Sequence, residues 1–287
     1  MSKILVTGGN GQLGSELKDL AHLYPKETFI FTDRDELDIC KHDHVEDFII
    51  KTNIDAIINC AAYTAVDKAE EQVELANAIN NLAVQNFARI AKEYNIKLIH
   101  ISTDYVFDGT NHKPYLETDT PNPQSVYGQT KFDGELAMQQ INPANSVIIR
   151  TSWVYSKFGN NFVKTMLRLA ETKEEISVVA DQIGTPTNAK DLAETILNIL
   201  PKISNETVEV FHYSNEGVCS WYDFAKTVFE IKGLGIKVNP IESKRYPTRA
   251  ERPFYSVLNK KKINGIFLIE IPFWKVSLKK CLKINKL

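Results

Sequence analysis

A chain of 287 residues with 43% apolar and 24% charged side chains is ordinary for a globular protein and long enough to bury a sizeable core as one large domain or two interlocked lobes. A formal charge of −2 and a pI near 6.3 give no long-range field to gather nucleic acid or an anionic membrane, so neither is an expected partner. Cys40, Cys60, Cys219 and Cys281 have no C-x-x-C spacing, Met1-Ser2-Lys3 runs directly into Ile4-Leu5-Val6 without a leader, and no apolar run nears the roughly 20 residues of a membrane helix, so a cytoplasmic protein with reduced thiols and no zinc site is expected.

Lys3 to Thr7 has the unbroken apolar character of a buried parallel strand and ends in Gly8-Gly9-Asn10-Gly11-Gln12-Leu13-Gly14, after which Leu13, Leu17, Leu20 and Ala21 recur at helical spacing. Strand, glycine turn and helix are the context a dinucleotide fingerprint requires, whether it is counted from Gly8 or from Gly9 through Gly11 to Gly14. The glycines bare the backbone to a pyrophosphate, and the helix N-terminus adds partial positive charge. The second strand, Thr28 to Thr32, ends at Asp33-Arg34. Asp33 is placed to accept from the adenosine ribose hydroxyls, while Arg34 suits the 2′-phosphate of NADP. Asp38 and Ile39 follow, placed to flank the adenine, before a helix over about 44–51.

The third strand, Ala56 to Cys60, leads into Ala61-Ala62-Tyr63-Thr64, small residues that either let a cofactor approach or make a simple packing turn. One long helix is predicted over about 73–94, then strands at Leu98 to Ile101 and Val147 to Ile149, continuing toward Trp153. Strands alternating with helices imply a doubly wound, Rossmann-like parallel sheet whose ligand crevice lies at the strands' carboxyl ends. Ser102-Thr103-Asp104-Tyr105 opens into that crevice. Tyr127 and Lys131, four apart on a helix between the fourth and fifth strands, share a face, and a cation near a phenol makes it a usable acid for carbonyl reduction. Tyr222 and Lys226 have the same spacing but no such neighbour and are expected to be an ordinary helix face.

Beyond Tyr155 the alternation fades into helices near 162–170, 192–200 and 224–231, with a strand at Ile176 to Val179. The expected division is a cofactor domain over 1–155 that also receives about 175–205, and a smaller interlocked, discontinuous substrate lobe over 156–287. Arg249 to Arg252 either supply cations for an anionic substrate or make surface salt links.

Together these residues resemble the extended short-chain dehydrogenase/reductases, and more narrowly the dTDP-4-dehydrorhamnose reductase family. The narrower likeness rests on the runs Asn59 to Glu70, Ser102 to Gly109, Arg150 to Tyr155, Asp181 to Thr187, and Arg252-Pro253 with Ser256, which span nearly the whole chain. The resemblance implies reduction of the C4 ketone of a dTDP-4-keto-6-deoxyhexose with NADPH, NADH also being used. It implies Thr103, Tyr127 and Lys131 as the catalytic set. It places Gly11, Gln12 and Leu13 at the pyrophosphate, Ala62, Tyr63 and Thr64 at the middle of the cofactor, and Asp104, Tyr105 and Trp153 at the sugar. Some relatives hold a metal between subunits through acidic side chains. Here Glu16 supplies one carboxylate but Lys190 stands where a second acid is needed, so no Mg2+ is expected, and a homodimer is. Alternatives are another nucleotide-sugar oxidoreductase or epimerase, and a non-catalytic NADP-binding regulatory subunit.

Overall fold

The computed structural model describes residues 2–284, so residues 285–287 of the expected second lobe lie outside the described chain. In chain order the elements are β1 (Ser2–Thr7), α1 (Gln12–Leu20), β2 (Glu27–Thr32), α2 (His42–Thr52), β3 (Ala56–Asn59), α3 (Val66–Ala69), α4 (Val73–Asn77), α5 (Ala83–Glu93), β4 (Lys97–Thr103), α6 (Val126–Ile141), β5 (Ser146–Thr151) and β6 (Val154–Tyr155). They continue with α7 (Phe162–Ala170), β7 (Glu175–Val179), β8 (Ile183–Gly184), β9 (Thr187–Asn188), α8 (Ala189–Ile199), β10 (Glu209–His212), β11 (Cys219–Ser220), α9 (Trp221–Lys232), β12 (Lys237–Ile241), α10 (Lys261–Phe267) and α11 (Trp274–Ile284).

Six parallel strands form the main sheet in the order β10-β5-β4-β3-β1-β2, the Rossmann-like doubly wound arrangement. Alternation along each strand divides the core in two. Ile4, Val6, Ile58, Ile99 and Val147 face α1, α8 and α10, while Leu5, Ile57, Leu98 and Ile148 face α2, α5 and α6. Both faces are covered, which is why the strands read as continuous apolar runs. A third core, built from Tyr155, Met166, Val178, Phe224, Val228, Trp274 and Leu278, belongs to the second lobe.

Two expectations are corrected. The helix predicted over 73–94 is broken by a π turn at Ala78–Leu82. That wide turn points Asn80 inward, where its amide accepts from the Tyr63 N–H at 2.9 Å and donates to the Tyr63 carbonyl and the Thr130 hydroxyl, both at 3.2 Å. Within the stretch 175–205 expected to return to the first domain, α8 does pack on α1, but β7 pairs with β12 instead of joining the sheet. The sixth strand is β10, beyond that stretch and paired with β5.

Candidate active site

The carboxyl ends of β1 to β5 open on a cavity of about 890 Å3 that extends under the second lobe. Its floor begins at the glycine turn. Gly8 has φ +66°, and a Cβ there would lie 2.8 Å from the Ala61 backbone, so this turn needs a residue without a side chain. A Cβ on Gly14 would lie 2.3 Å from the Gly8 carbonyl oxygen, so Gly14 lets the helix close onto the turn and does not itself line the cavity. Gly11 caps α1, whose first turn carries no acidic residue, leaving its amide dipoles available to an anion.

Of the residues expected to hold a cofactor, Gly8, Gly11, Gln12, Leu13, Asp33, Arg34, Asp38, Ile39, Ala61, Ala62, Thr64, Tyr127 and Lys131 all line this one cavity. Tyr63 does not: Asn80 holds its backbone and its hydroxyl donates to Gln72 at 2.8 Å. The Asp33 carboxylate accepts from the amides of Asn10, at 3.1 Å, and Arg34, at 2.8 Å, which ties the end of β2 to the glycine turn. The Arg34 side chain is exposed.

Thr103, Asp104, Tyr105, Tyr127, Lys131 and Trp153 line the far end of the same cavity. Tyr127 packs edge-on against Tyr105, with ring centroids 5.4 Å apart. Burial pushes the Tyr127 phenol up to about 12; the Thr103 hydroxyl beside it works in the opposite sense and the Asp104 carboxylate in the same one. Direct stabilisation of the phenolate by Lys131 is therefore corrected. The ammonium instead donates to the Ile101 carbonyl at 2.6 Å and contacts Nε2 of His100 at 3.2 Å, and burial brings Lys131 down to about 8.

Asp104 is 2% exposed, with Oδ1 accepting from the Thr103 hydroxyl at 3.1 Å and Oδ2 buried without a partner. Burial raises its carboxyl to about 7, against smaller lowering contributions led by the Ser256 and Thr103 hydroxyls. Trp153 adopts a left-handed backbone with φ +48° and stacks on Trp221 at 3.6 Å, so one indole face is occupied by the second lobe.

Three other sequence features lie outside this cavity. Tyr222 and Lys226 sit on α9 outside the cavity, the ammonium 5.5 Å from the ring centre, an ordinary helix face. Arg249 pairs with Glu71, and Arg252 clasps Asp67 through both carboxylate oxygens at 2.6 and 3.1 Å, so these cations make links between lobes. Glu16 is buried, accepts from the Ser156 hydroxyl at 2.5 Å and has Lys157 and Lys190 nearby. One carboxylate among two ammonium groups is a poor donor set for a divalent cation, and no cluster of three metal-binding side chains occurs among the described residues.

Sequence reasoning missed the support beneath the site. Asn59 and His100 are fully buried, one below Lys131 and one beside it. A polar residue within an apolar strand run was the available signal. Also missed were Gly159 to Asn161, which bring the second lobe onto the glycine turn, the Asn161 amide donating to Gln12 at 2.9 Å. Turn residues directly before a helix start at Phe162 could have shown them.

Comparison with known proteins gives a consistent result. The RmlD substrate binding domain family matches residues 2–286. A dTDP-4-dehydrorhamnose reductase from Sinorhizobium fredii is 44% identical over 283 residues, covering 96% of this chain and 95% of that one. The crystal structure of a dTDP-4-dehydrorhamnose reductase from Clostridium acetobutylicum superposes with a TM-score of 0.92 at 42% identity, covering 99% of this chain and all of the other. That of the Bacillus anthracis enzyme in complex with NADP does so with a TM-score of 0.93 at 38% identity and the same coverage.

Proposed function

This chain belongs to the RmlD substrate binding domain family, and from that premise we propose that it reduces the C4 ketone of dTDP-4-dehydro-β-L-rhamnose to dTDP-β-L-rhamnose, the last step in making that sugar nucleotide. The observation that carries this reading is the convergence of Thr103, Tyr127 and Lys131 on the cavity that the glycine turn also lines. Bound NADPH supplies the hydride. Gly11 bares its backbone and Gln12 and Leu13 present backbone amides to the pyrophosphate, Asp33 holds the adenosine ribose, and Arg34 favours a 2′-phosphate, so NADPH is preferred and NADH also serves.

Tyr127 gives its phenolic proton to the C4 oxygen as general acid, and Thr103 hydrogen-bonds the same oxygen to orient it. Lys131 steadies the nicotinamide ribose. Asp104 and Tyr105 hold hydroxyls of the sugar, and Trp153 packs on its apolar side. Mg2+ has no part in this reading. It includes a cytoplasmic location, where thiols such as Cys60 stay reduced, and a homodimer, which sedimentation would test. Residues 1–155 then serve mainly the cofactor and 156–287 mainly the sugar.

The test is oxidation of NADPH by the purified protein against a panel of dTDP-, UDP- and GDP-linked 4-keto sugars, with Trp153→Ala alongside. Turnover with the dTDP sugar is expected, and Trp153→Ala is expected to raise its KM without changing NADPH affinity. Tight NADPH binding with no oxidation of it on any of these sugars would replace the reductase reading with that of a non-catalytic cofactor-binding subunit.

A further inference from the structure

Thr7, Asn59 and His100 are direct partners across the neighbouring strands β1, β3 and β4, and they stand two residues beyond Leu5, Ile57 and Leu98 on the same buried face. An apolar row is thus followed by a polar one in a place no more than 1% exposed, where each polar group is costly unless it is bonded. The row is continuous. Thr7 Oγ1 lies 2.7 Å from one end of the Asn59 amide, the other end lies 3.1 Å from Nδ1 of His100, and Nε2 of His100 lies 3.2 Å from the Lys131 ammonium.

An ammonium has three N–H groups and nothing with which to accept. One goes to the Ile101 carbonyl, and a second meets His100. We propose that His100 is a positioning residue for the reductase chemistry: its neutral imidazole accepts from Lys131 through Nε2, which fixes the ammonium so that its third N–H faces the cavity. That assignment puts the ring proton on Nδ1, with the Asn59 amide turned to offer it oxygen and to give its nitrogen to Thr7, whose hydroxyl serves either way. Burial and the Lys131 charge both hold His100 far below its ordinary range, so the ring is neutral at working pH. The other ionisable groups acting on the ammonium are Glu135 on α6, which favours its charge, and the Cys60 thiol past β3, with Tyr127 one turn away on α6.

This role rests on the proposed reduction, but its first test does not. Nitrogen NMR of the imidazole in the resting wild-type protein should show the Nδ1–H tautomer of a neutral ring from about pH 6 to 7.5; an Nε2–H tautomer or an imidazolium overturns the proposal. The second test compares His100→Phe, which keeps a ring but no acceptor, with His100→Gln, whose amide oxygen reaches the place of Nε2. Loss of a hydrogen bond to a charged group should lower kcat about 10- to 100-fold in the Phe variant, leave both KM values within about threefold, and move the alkaline limb of kcat about one pH unit lower. The Gln variant should regain most of both. Equal losses in the two variants, or a Phe variant with the wild-type limb, refute the role. Should wild type reduce no 4-keto sugar, the function fails while the tautomer still decides the hydrogen-bond assignment.

Discussion

Lys131 donates to the carbonyl oxygen of Ile101 at 2.6 Å, which pins α6 to the strand that ends two residues later in Thr103. The two elements that carry the proposed reacting groups are thereby held at one separation, and Tyr127 lines the same cavity as Thr103. Tyr127→Phe keeps the ring and removes the proton. Its kcat should fall about 10²- to 10⁴-fold with NADPH affinity nearly unchanged, while Tyr222→Phe on α9 should be close to wild type. Similar turnover numbers for the two variants would mean that α6 does not carry the acid.

Arg34 is exposed beside an Asp33 carboxylate that is already bonded to two amides. Arg34→Ala should raise KM for NADPH by about tenfold, the worth of one exposed charge-assisted contact, and leave KM for NADH within about twofold. Steady-state kinetics with the two cofactors decides it. Equal losses would assign Arg34 to the fold or to the adenine.

Asp104 links pH, stability and function. Its carboxyl is raised from the ordinary 3.8 to about 7, so the folded state prefers the protonated form. The stability this contributes is fully present below about pH 4 and is lost as pH rises through 7, a cost on the order of 4 kcal/mol once the group is ionised. Asp104→Asn removes that ionisation and should raise Tm at pH 8 but hardly at pH 4, while raising KM for the sugar. Thermal melts at the two pH values are the measurement, and a variant less stable than wild type at pH 8 contradicts the account.

Glu135 and Arg150 are 0% and 3% exposed and pair at 2.6 Å, joining α6 to β5. Neutralising one member of such a pair leaves a buried charge uncompensated. Glu135→Gln should therefore cost about 3–5 kcal/mol, a fall in Tm of roughly 10 °C for a chain of this size. Denaturant unfolding would register it, and a loss below about 1 kcal/mol would show that the guanidinium finds another partner, such as His212, 3.5 Å away.

Much of this molecule was legible from spacing. The buried parallel strands announce themselves as apolar runs, and the glycine turn, Thr103, Tyr127 and Lys131 fall into one cavity because strand ends and crossover helices leave them nowhere else to go. What escaped depends on distant partners. Val208 to Tyr213 holds strand-forming residues interrupted by Glu209 and His212, whose bonds to Lys262 and to the Tyr115 carbonyl only the fold supplies. The π turn is invisible to a 3.6-residue pattern, since Ala76, Ala83 and Phe87 stay on the buried side through it. Arg252 could not be assigned from composition, because Asp67, its partner, lies 185 positions earlier.

The path of the chain between its cores bears on how this protein could be remade. After β6 it builds the second core through α7 and β7, returns to cover α1 with α8 and to add β10 to the sheet, leaves again for α9 and β12, comes back with α10 and finishes in α11. A fragment cut at residue 155 would expose Leu13, Leu17 and Leu20 on α1, which Leu192, Ile196 and Ile199 otherwise cover, and would leave β5 as an open edge. Neither lobe is a transplantable module. Swapping sugar specificity between relatives therefore calls for grafting side chains at the cavity wall, because exchanging whole segments would sever a hydrophobic layer that several distant stretches of chain complete together.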